Sequence, residues 1–240
     1  MQLFYDKNIQ KSDIQFTFDK VESRHIVRVL RKKEGDFLFI TNGKGNLFHS
    51  QIINANDKRC LVEITKCNEQ KNALTYNLHI AIAPTKNIQR LEWFLEKATE
   101  IGVSEISLVL CDHSERRVVK TERLEKVLVS AMKQSKRYYL PKLNEPITFK
   151  NFIKAQTETK KNDSLFIAHC EETNKKTLKN HLKSKHNVTI LIGPEGDFSL
   201  NEISLALQQQ FIPVSLGNSI LRTETAGIVA VHSVAFVNEE

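Results

Sequence analysis

The stretch "LGNSILRTETAG", Leu216 to Gly227, lies between two apolar runs, "FIPVS" before it and "IVAVHSVAF" after it. Gly217, Asn218, Ser219, Arg222, Thr223, Glu224 and Thr225 interrupt what otherwise reads as core. Polar groups beside a core cost free energy unless they find partners. Two readings follow: Arg222 and Glu224 pair with each other, or the stretch holds a ligand.

The placement of glycine bears on that choice. The chain has only eight glycines, and four of them, Gly193, Gly196, Gly217 and Gly227, fall in the last fifty residues. Gly193 and Gly217 follow the apolar runs "NVTILI" and "FIPVS", both of which read as strands. In α/β domains the loops after parallel strands build ligand sites. "LIGPEGDFS" therefore reads as strand, tight loop and helix, with Pro194 stiffening the turn and Ser199 or Asp197 starting the helix. Neither GxxxxGK[ST] nor GxGxxG occurs, which weighs against a nucleotide hydrolase, a Rossmann-type dehydrogenase and the commonest class of methyltransferase.

Upstream, strand and helix patterns alternate. "YNLHIAIAP", "EISLVL" and "SLFIAHC" read as strands. Leu91, Phe94, Leu95, Ala98 and Ile101 recur at helical spacing and predict a helix over 88–101, stopped by Gly102. Further helices are expected over 121–138, from about Asn174, from Ser199 and over 224–237, with "QTETKKND" as a surface loop. The alternation predicts an α/β domain over 74–240 with a mostly parallel sheet. The polar stretch 67–73 reads as a linker. Residues 1–70 read as a β-rich domain with a hairpin at Gly43-Lys44-Gly45, a strand at "RCLVEIT" and one helix, "VESRHIVRVL". That helix would turn Val21, Ile26, Val29 and Leu30 inward and Arg24, Arg28 and Arg31 outward.

At 240 residues, 40% hydrophobic and 26% charged, the composition is that of a soluble globular protein. No apolar run approaches the ~18–20 residues that span a bilayer, and no signal peptide opens the chain, so a cytoplasmic location and no membrane partner are expected. Cys60, Cys67, Cys111 and Cys170 show no CxxC spacing, so no metal is expected. The net charge of +7 tilts toward a polyanionic partner. From Glu115 to Lys142, nine Lys or Arg stand against three Glu, with Tyr138 and Tyr139 among them. This run is either a solvated helix face or a surface for binding phosphates and stacking unpaired bases, with Gln134, Ser135 and Arg137 at its end. Asp112-His113-Ser114 and His169-Cys170 are adjacent residues and cannot form catalytic geometry. Asp163 and Glu171-Glu172 lie at opposite ends of one strand, and His232 on its apolar helix reads as a core histidine.

"LIGPEGDFSLNE" followed by "VSLGNSILRTETAG" resembles the 16S ribosomal RNA uracil-N3 methyltransferases, a family of the SPOUT superfamily. "HIVRVLRKKEGD", "LEKATEIGV" and "QSKRYYLP" resemble that family's earlier motifs, in the same order. The resemblance implies a small N-terminal PUA-like RNA-binding domain and a C-terminal α/β domain ending in a trefoil knot. It implies S-adenosylmethionine as cofactor, 16S ribosomal RNA or the small ribosomal subunit as partner, and a homodimer.

Carried over, Ile192, Gly193, Pro194, Glu195 and Gly196 would form one cofactor loop, and Leu216, Gly217, Ile220, Leu221 and Arg222 the other. Ala168 and His169 would line the same pocket. Arg222, Glu195 and Glu224 are the catalytic candidates, because uracil N3 must lose a proton before it can accept a methyl group. Arg24, His25, Arg28, Arg31, Lys86, Gln134, Ser135 and Arg137 are the candidates for holding RNA. Asp197 stands where the family commonly has a second glycine; aspartate tolerates the left-handed backbone such a turn needs. A ribose-methylating SPOUT enzyme and a non-catalytic ribosome-assembly factor remain alternatives at this level.

Overall fold

The computed structural model describes residues 2–69, 74–159, 163–171 and 175–239. They form two units: Met1–Ala73 with Met132–Leu140, and Leu74–Ala131 with Pro141–Glu240.

The first unit runs β1 (Leu3–Tyr5), β2 (Gln15–Thr17), α1 (Lys20–Arg24), β3 (Phe37–Thr41), β4 (Asn46–Asn54) and β5 (Leu61–Glu69). Its five strands are ordered β1-β3-β4-β5-β2, with β1 parallel to β3 and the other pairs antiparallel. Phe4, Phe18, Ile26, Leu38, Ile40, Phe48, Ile52 and Val62 form the core over one face of this sheet. Strand β5 continues through Glu69, so the expected linker loses its first three residues to a strand; 70–73 lie outside the described residues.

Asp19 caps α1 by accepting from the Glu22 N–H, and the chain then widens into a π-helical turn over His25–Val29. The Leu30 N–H bonds to the His25 carbonyl five residues back, which shifts the inward face away from a 3.6-residue period. Ile26 is fully buried, but Val21 and Val29 are 78% and 67% exposed, which corrects the expected apolar face. Arg24, Arg28 and Arg31 are exposed, as expected.

The second unit runs β6 (Leu78–Ile82), α2 (Ile88–Ile101), β7 (Glu105–Leu110), α3 (Thr121–Gln134, whose last three residues fall in the first unit), β8 (Lys142–Thr148), α4 (Phe149–Thr159), β9 (Ser164–Ala168), β10 (Lys176–Thr177), β11 (Val188–Ile192), α5 (Leu200–Gln208), β12 (Ile212–Ser215) and α6 (Thr223–Asn238). Its seven strands are all parallel, in the order β10-β12-β9-β11-β6-β7-β8. Every residue of β6 and β11 is buried, as the centre of a sheet covered on both faces requires. Helix α6 packs against α2, β6 and β11, while α4 packs against α5, β7 and β8.

Helix α2 ends at Gly102, as expected, and is capped by Asn87, which the sequence had not singled out. Helix α3 stops at Gln134 rather than Tyr138, because Lys136 takes a left-handed backbone, φ 55°. Asn174 lies outside the described residues, but the helix expected to start there is absent beyond it. The chain makes the two-residue β10 and a single 3-10 turn, Leu178–Asn180. The opening residues of "QTETKKND" belong to α4 instead of a loop. His232 is exposed, not a core residue. No helix among the described residues is long and apolar enough to cross a membrane.

Candidate cofactor and RNA site

Strands β7 and β8 lie on one side of β6, whereas β11, β9 and β12 lie on the other. Ligand crevices form beyond the C-terminal ends of strands where the winding reverses in this way. Three segments converge there: 193–197 after β11, 216–222 after β12, and 168–171 after β9.

The first loop is held by bonds from four directions. The Thr223 hydroxyl donates to the Gly193 carbonyl at 3.0 Å, and a Glu195 carboxylate oxygen accepts from the Lys86 N–H at 2.9 Å. His113 Nδ1 lies 2.9 Å from the Gly196 carbonyl and 3.0 Å from that of Asp197. Asp197 adopts φ 60°, the left-handed conformation expected of it, and its N–H closes the turn onto Pro194 O. Its carboxylate accepts the Cys170 N–H at 2.7 Å, tying the loop to the end of β9. Ser199 and Glu202 then form a reciprocal capping box that starts α5.

The second loop has little of this bracing. Ser215 Oγ donates to the Gly217 carbonyl and accepts its N–H, at 2.7 and 3.2 Å. Among the described residues, no side chain from Leu216 to Arg222 makes a hydrogen bond or ion pair. Gly217 sits at φ 140° with open space where a Cβ would stand, a conformation that disfavours side chains. Ile220 is 85% exposed.

A cavity of about 240 Å³ opens between this loop and the end of β9. Ala168, His169, Cys170, Glu171 and Lys175 line one side; Val214, Ser215 and Leu216 through Leu221 line the other, with Ala226 of α6. The His169 Nε2 atom is buried and has no partner among the described residues. Burial, then the nearby Lys175 charge, hold the His169 imidazole below the usual histidine range. Burial, then the nearby Asp197 charge, likewise raise the Cys170 thiol above the usual cysteine range.

Of the expected cofactor residues, Ala168, Leu216, Gly217, Ile220 and Leu221 line the cavity, whereas Ile192, Gly193, Pro194, Glu195 and Gly196 do not. Arg222 is exposed at the N-cap of α6 with no side-chain bond. The Arg222–Glu224 pairing is absent. Glu224 is buried, one carboxylate oxygen lies 3.8 Å from Arg90 Nε, and the other has no partner among the described residues.

The RNA candidates divide between the units. Arg24, His25, Arg28, Arg31, Gln134, Ser135 and Arg137 fall in the first unit, and Lys86 alone in the second. Arg28 pairs with Asp57 at 2.8 Å, His25 lies 3.2 Å from Glu22, and Lys86 pairs with Glu115 at 2.7 Å. Arg31, Lys32 and Lys33 border an open depression of about 480 Å³. Lys175, Asn218 and Ser219 on the cavity wall, and Arg90 beside Glu224, went unassigned in the sequence. Asn218 and Ser219 fall inside the opening stretch; Lys175 and Arg90 carry no local pattern.

Comparison with known proteins bears on this arrangement. Residues 71–235 match the family model of an RNA methyltransferase domain, and residues 18–65 that of an RNA methyltransferase PUA domain. The ribosomal RNA small subunit methyltransferase E of Buchnera aphidicola is 31% identical over 224 residues, covering 90% of this chain and 86% of that protein. Its counterpart in Rickettsia conorii is also 31% identical, covering 88% and 84%. A crystal structure of a "probable rRNA-methyltransferase" from Porphyromonas gingivalis superposes with a TM-score of 0.91 at 40% identity, covering 99% and 98% of the two chains. A Legionella pneumophila protein solved with the bound cofactor SAM superposes at 0.86 with 26% identity, covering 98% and 97%. With the parallel sheet, the two glycine loops and the N-terminal β-rich unit all in place, the chain belongs to the ribosomal RNA small subunit methyltransferase E family of RNA methyltransferases.

Proposed function

We propose that this protein transfers a methyl group from S-adenosylmethionine to N3 of a uridine in 16S ribosomal RNA, as a cytoplasmic homodimer. The observation that carries the reading is the cavity at the ends of β9 and β12, with the unpartnered Arg222 one residue beyond Leu221 of its wall. The orphaned His169 nitrogen and the open side of Gly217 suit a bound molecule rich in polar groups. Ala168, Leu216, Gly217, Ile220 and Leu221 would hold the cofactor, with 193–196 bracing the wall from behind. When bound, S-adenosylmethionine supplies an electrophilic methyl group.

Arg222 carries the substrate's part. Uracil N3 becomes nucleophilic only as its proton leaves, and the resulting anion spreads its charge over both carbonyl oxygens. A guanidinium at the N-terminus of α6 is placed to stabilise that charge. Glu195 serves the loop through Lys86, and Glu224 serves the α2–α6 contact through Arg90. The target must be unpaired or flipped to expose N3. The exposed Arg24, Arg28 and Arg31 of the first unit, with Gln134, Ser135 and Arg137, would grip its backbone.

Dimerisation is supported by α6. Its sequence is apolar all round, which suits a helix covered on every side. Yet Phe236 is 61% exposed, and Trp93 on α2 is 44% exposed. The knot belongs to the same reading: the 216–222 loop carries the chain from β12, beyond β9, back to α6 against β6, β11 and α2.

The test supplies purified protein with labelled S-adenosylmethionine and small subunits lacking 3-methyluridine, then identifies the labelled nucleoside. Label in 3-methyluridine is expected. Label in a 2′-O-methyl nucleoside would move the assignment to ribose methylation, and neither label nor cofactor binding would leave an assembly factor.

A further inference from the structure

The wall of the cavity holds a polar relay built from Lys175 and His169. Lys175 Nζ lies 2.7 Å from the His169 carbonyl, 2.5 Å from the Glu171 carbonyl and 3.3 Å from His169 Nδ1. An ammonium group has three protons and no acceptor, so these contacts use all of its donors. The His169 Nδ1 atom must then accept, which leaves the ring proton on Nε2. That nitrogen is the one with no partner, in a residue only 7% exposed that lines the cavity. A buried donor without an acceptor is costly, and a ligand that supplies one recovers the cost.

We infer that Lys175 fixes His169 as its Nε2–H tautomer, so that the ring donates a hydrogen bond to an acceptor atom of the bound cofactor. His169 is then a cofactor-binding residue and Lys175 a positioning residue acting through it. The second wall contact is independent of this pair: Asp197 holds the Cys170 N–H, fixing the backbone directly after His169. The inference rests on the cofactor reading above.

The first measurement needs no substitution. A long-range proton–nitrogen spectrum of the wild-type protein with labelled histidine reads which His169 nitrogen carries the proton. The proton is expected on Nε2, and its resonance should move when S-adenosylhomocysteine is added. A proton on Nδ1 overturns the proposal.

Calorimetry with S-adenosylhomocysteine then tests the relay. His169→Phe should weaken binding about tenfold, and His169→Gln, which retains a donor, should recover part of that loss. Lys175→Met should weaken binding about threefold in the wild-type background and not at all in the His169→Phe background. An equal loss in both backgrounds, or wild-type affinity in His169→Phe, overturns the inference. Failure of the wild-type protein to bind S-adenosylhomocysteine would instead overturn the cofactor reading, while the spectrum would still decide the tautomer.

Discussion

The two loops that close the site are built on opposite plans. Residues 193–197 are braced by Thr223, Lys86, His113 and Cys170. Among the described residues, the side chains of 216–222 make no hydrogen bond, and the bracing side chain is Ser215. Both carry glycine in a short span, yet the first loop braces the cavity wall from behind and the second forms the lip. A segment whose polar groups are already satisfied has little to offer a ligand. A segment whose groups are free has much, at the cost of local order. The difference teaches that a glycine-rich motif does not by itself mark the residues that touch a ligand.

The largest effect should come from the lip. Arg222→Ala should lower methyl transfer by about 100-fold or more while leaving S-adenosylhomocysteine affinity within about threefold, read by single-turnover kinetics beside calorimetry. A parallel loss of both would make Arg222 a cofactor residue and undo the division of labour. Gly217→Val comes next, since forcing a branched side chain to φ 140° strains the loop. Cofactor affinity should fall about tenfold, with a melting temperature that hardly moves because nothing packs against that side.

The wall should behave the other way. Asp197→Ala removes the acceptor for the Cys170 N–H and places a less tolerant residue at φ 60°. A stability loss of about 1–3 kcal/mol is expected in chemical denaturation, larger than for either substitution in the lip. The smallest effect is expected for Glu195→Gln, which keeps an acceptor for the Lys86 N–H. Its transfer rate should stay within about threefold of wild type, whereas a loss on the order of 100-fold would identify Glu195 as the base.

Elements with a local cause were legible in the sequence. Leu91, Phe94, Leu95 and Ala98 drew the buried face of α2, and Gly102 its end. Gly43 and Gly45, both at positive φ, marked the hairpin of the first unit. Elements whose cause is tertiary were not. The π-helical turn at His25–Val29 places Val21 and Val29 outside, and a 3.6-residue template has no means to show that. In the site, the glycine motifs located both loops, but His113, which braces the first, lies 83 residues from Gly196, and Lys175, on the cavity wall facing the second, lies 42 residues from Gly217, both in an otherwise ordinary polar context. Arg222 and Glu224 stand two apart on one short stretch, and residues at that spacing do not face each other on a helix. The helix start at Thr223 turned Glu224 inward and left Arg222 outside.

The segment 138–140 lies beside the hairpin of the first unit. The Gly45 N–H donates to Tyr138 O at 2.8 Å, the Leu140 N–H donates to Gly43 O at 2.9 Å, and the Tyr139 ring occupies the space where a Gly45 Cβ would stand. The piece that completes the N-terminal unit is therefore encoded well after that unit's own last strand, which ends at Glu69. During synthesis the hairpin must wait, its edge groups bonded to water, until the chain through Leu140 has left the ribosomal exit tunnel. A fragment cut after Ala73 would be left permanently in that waiting state.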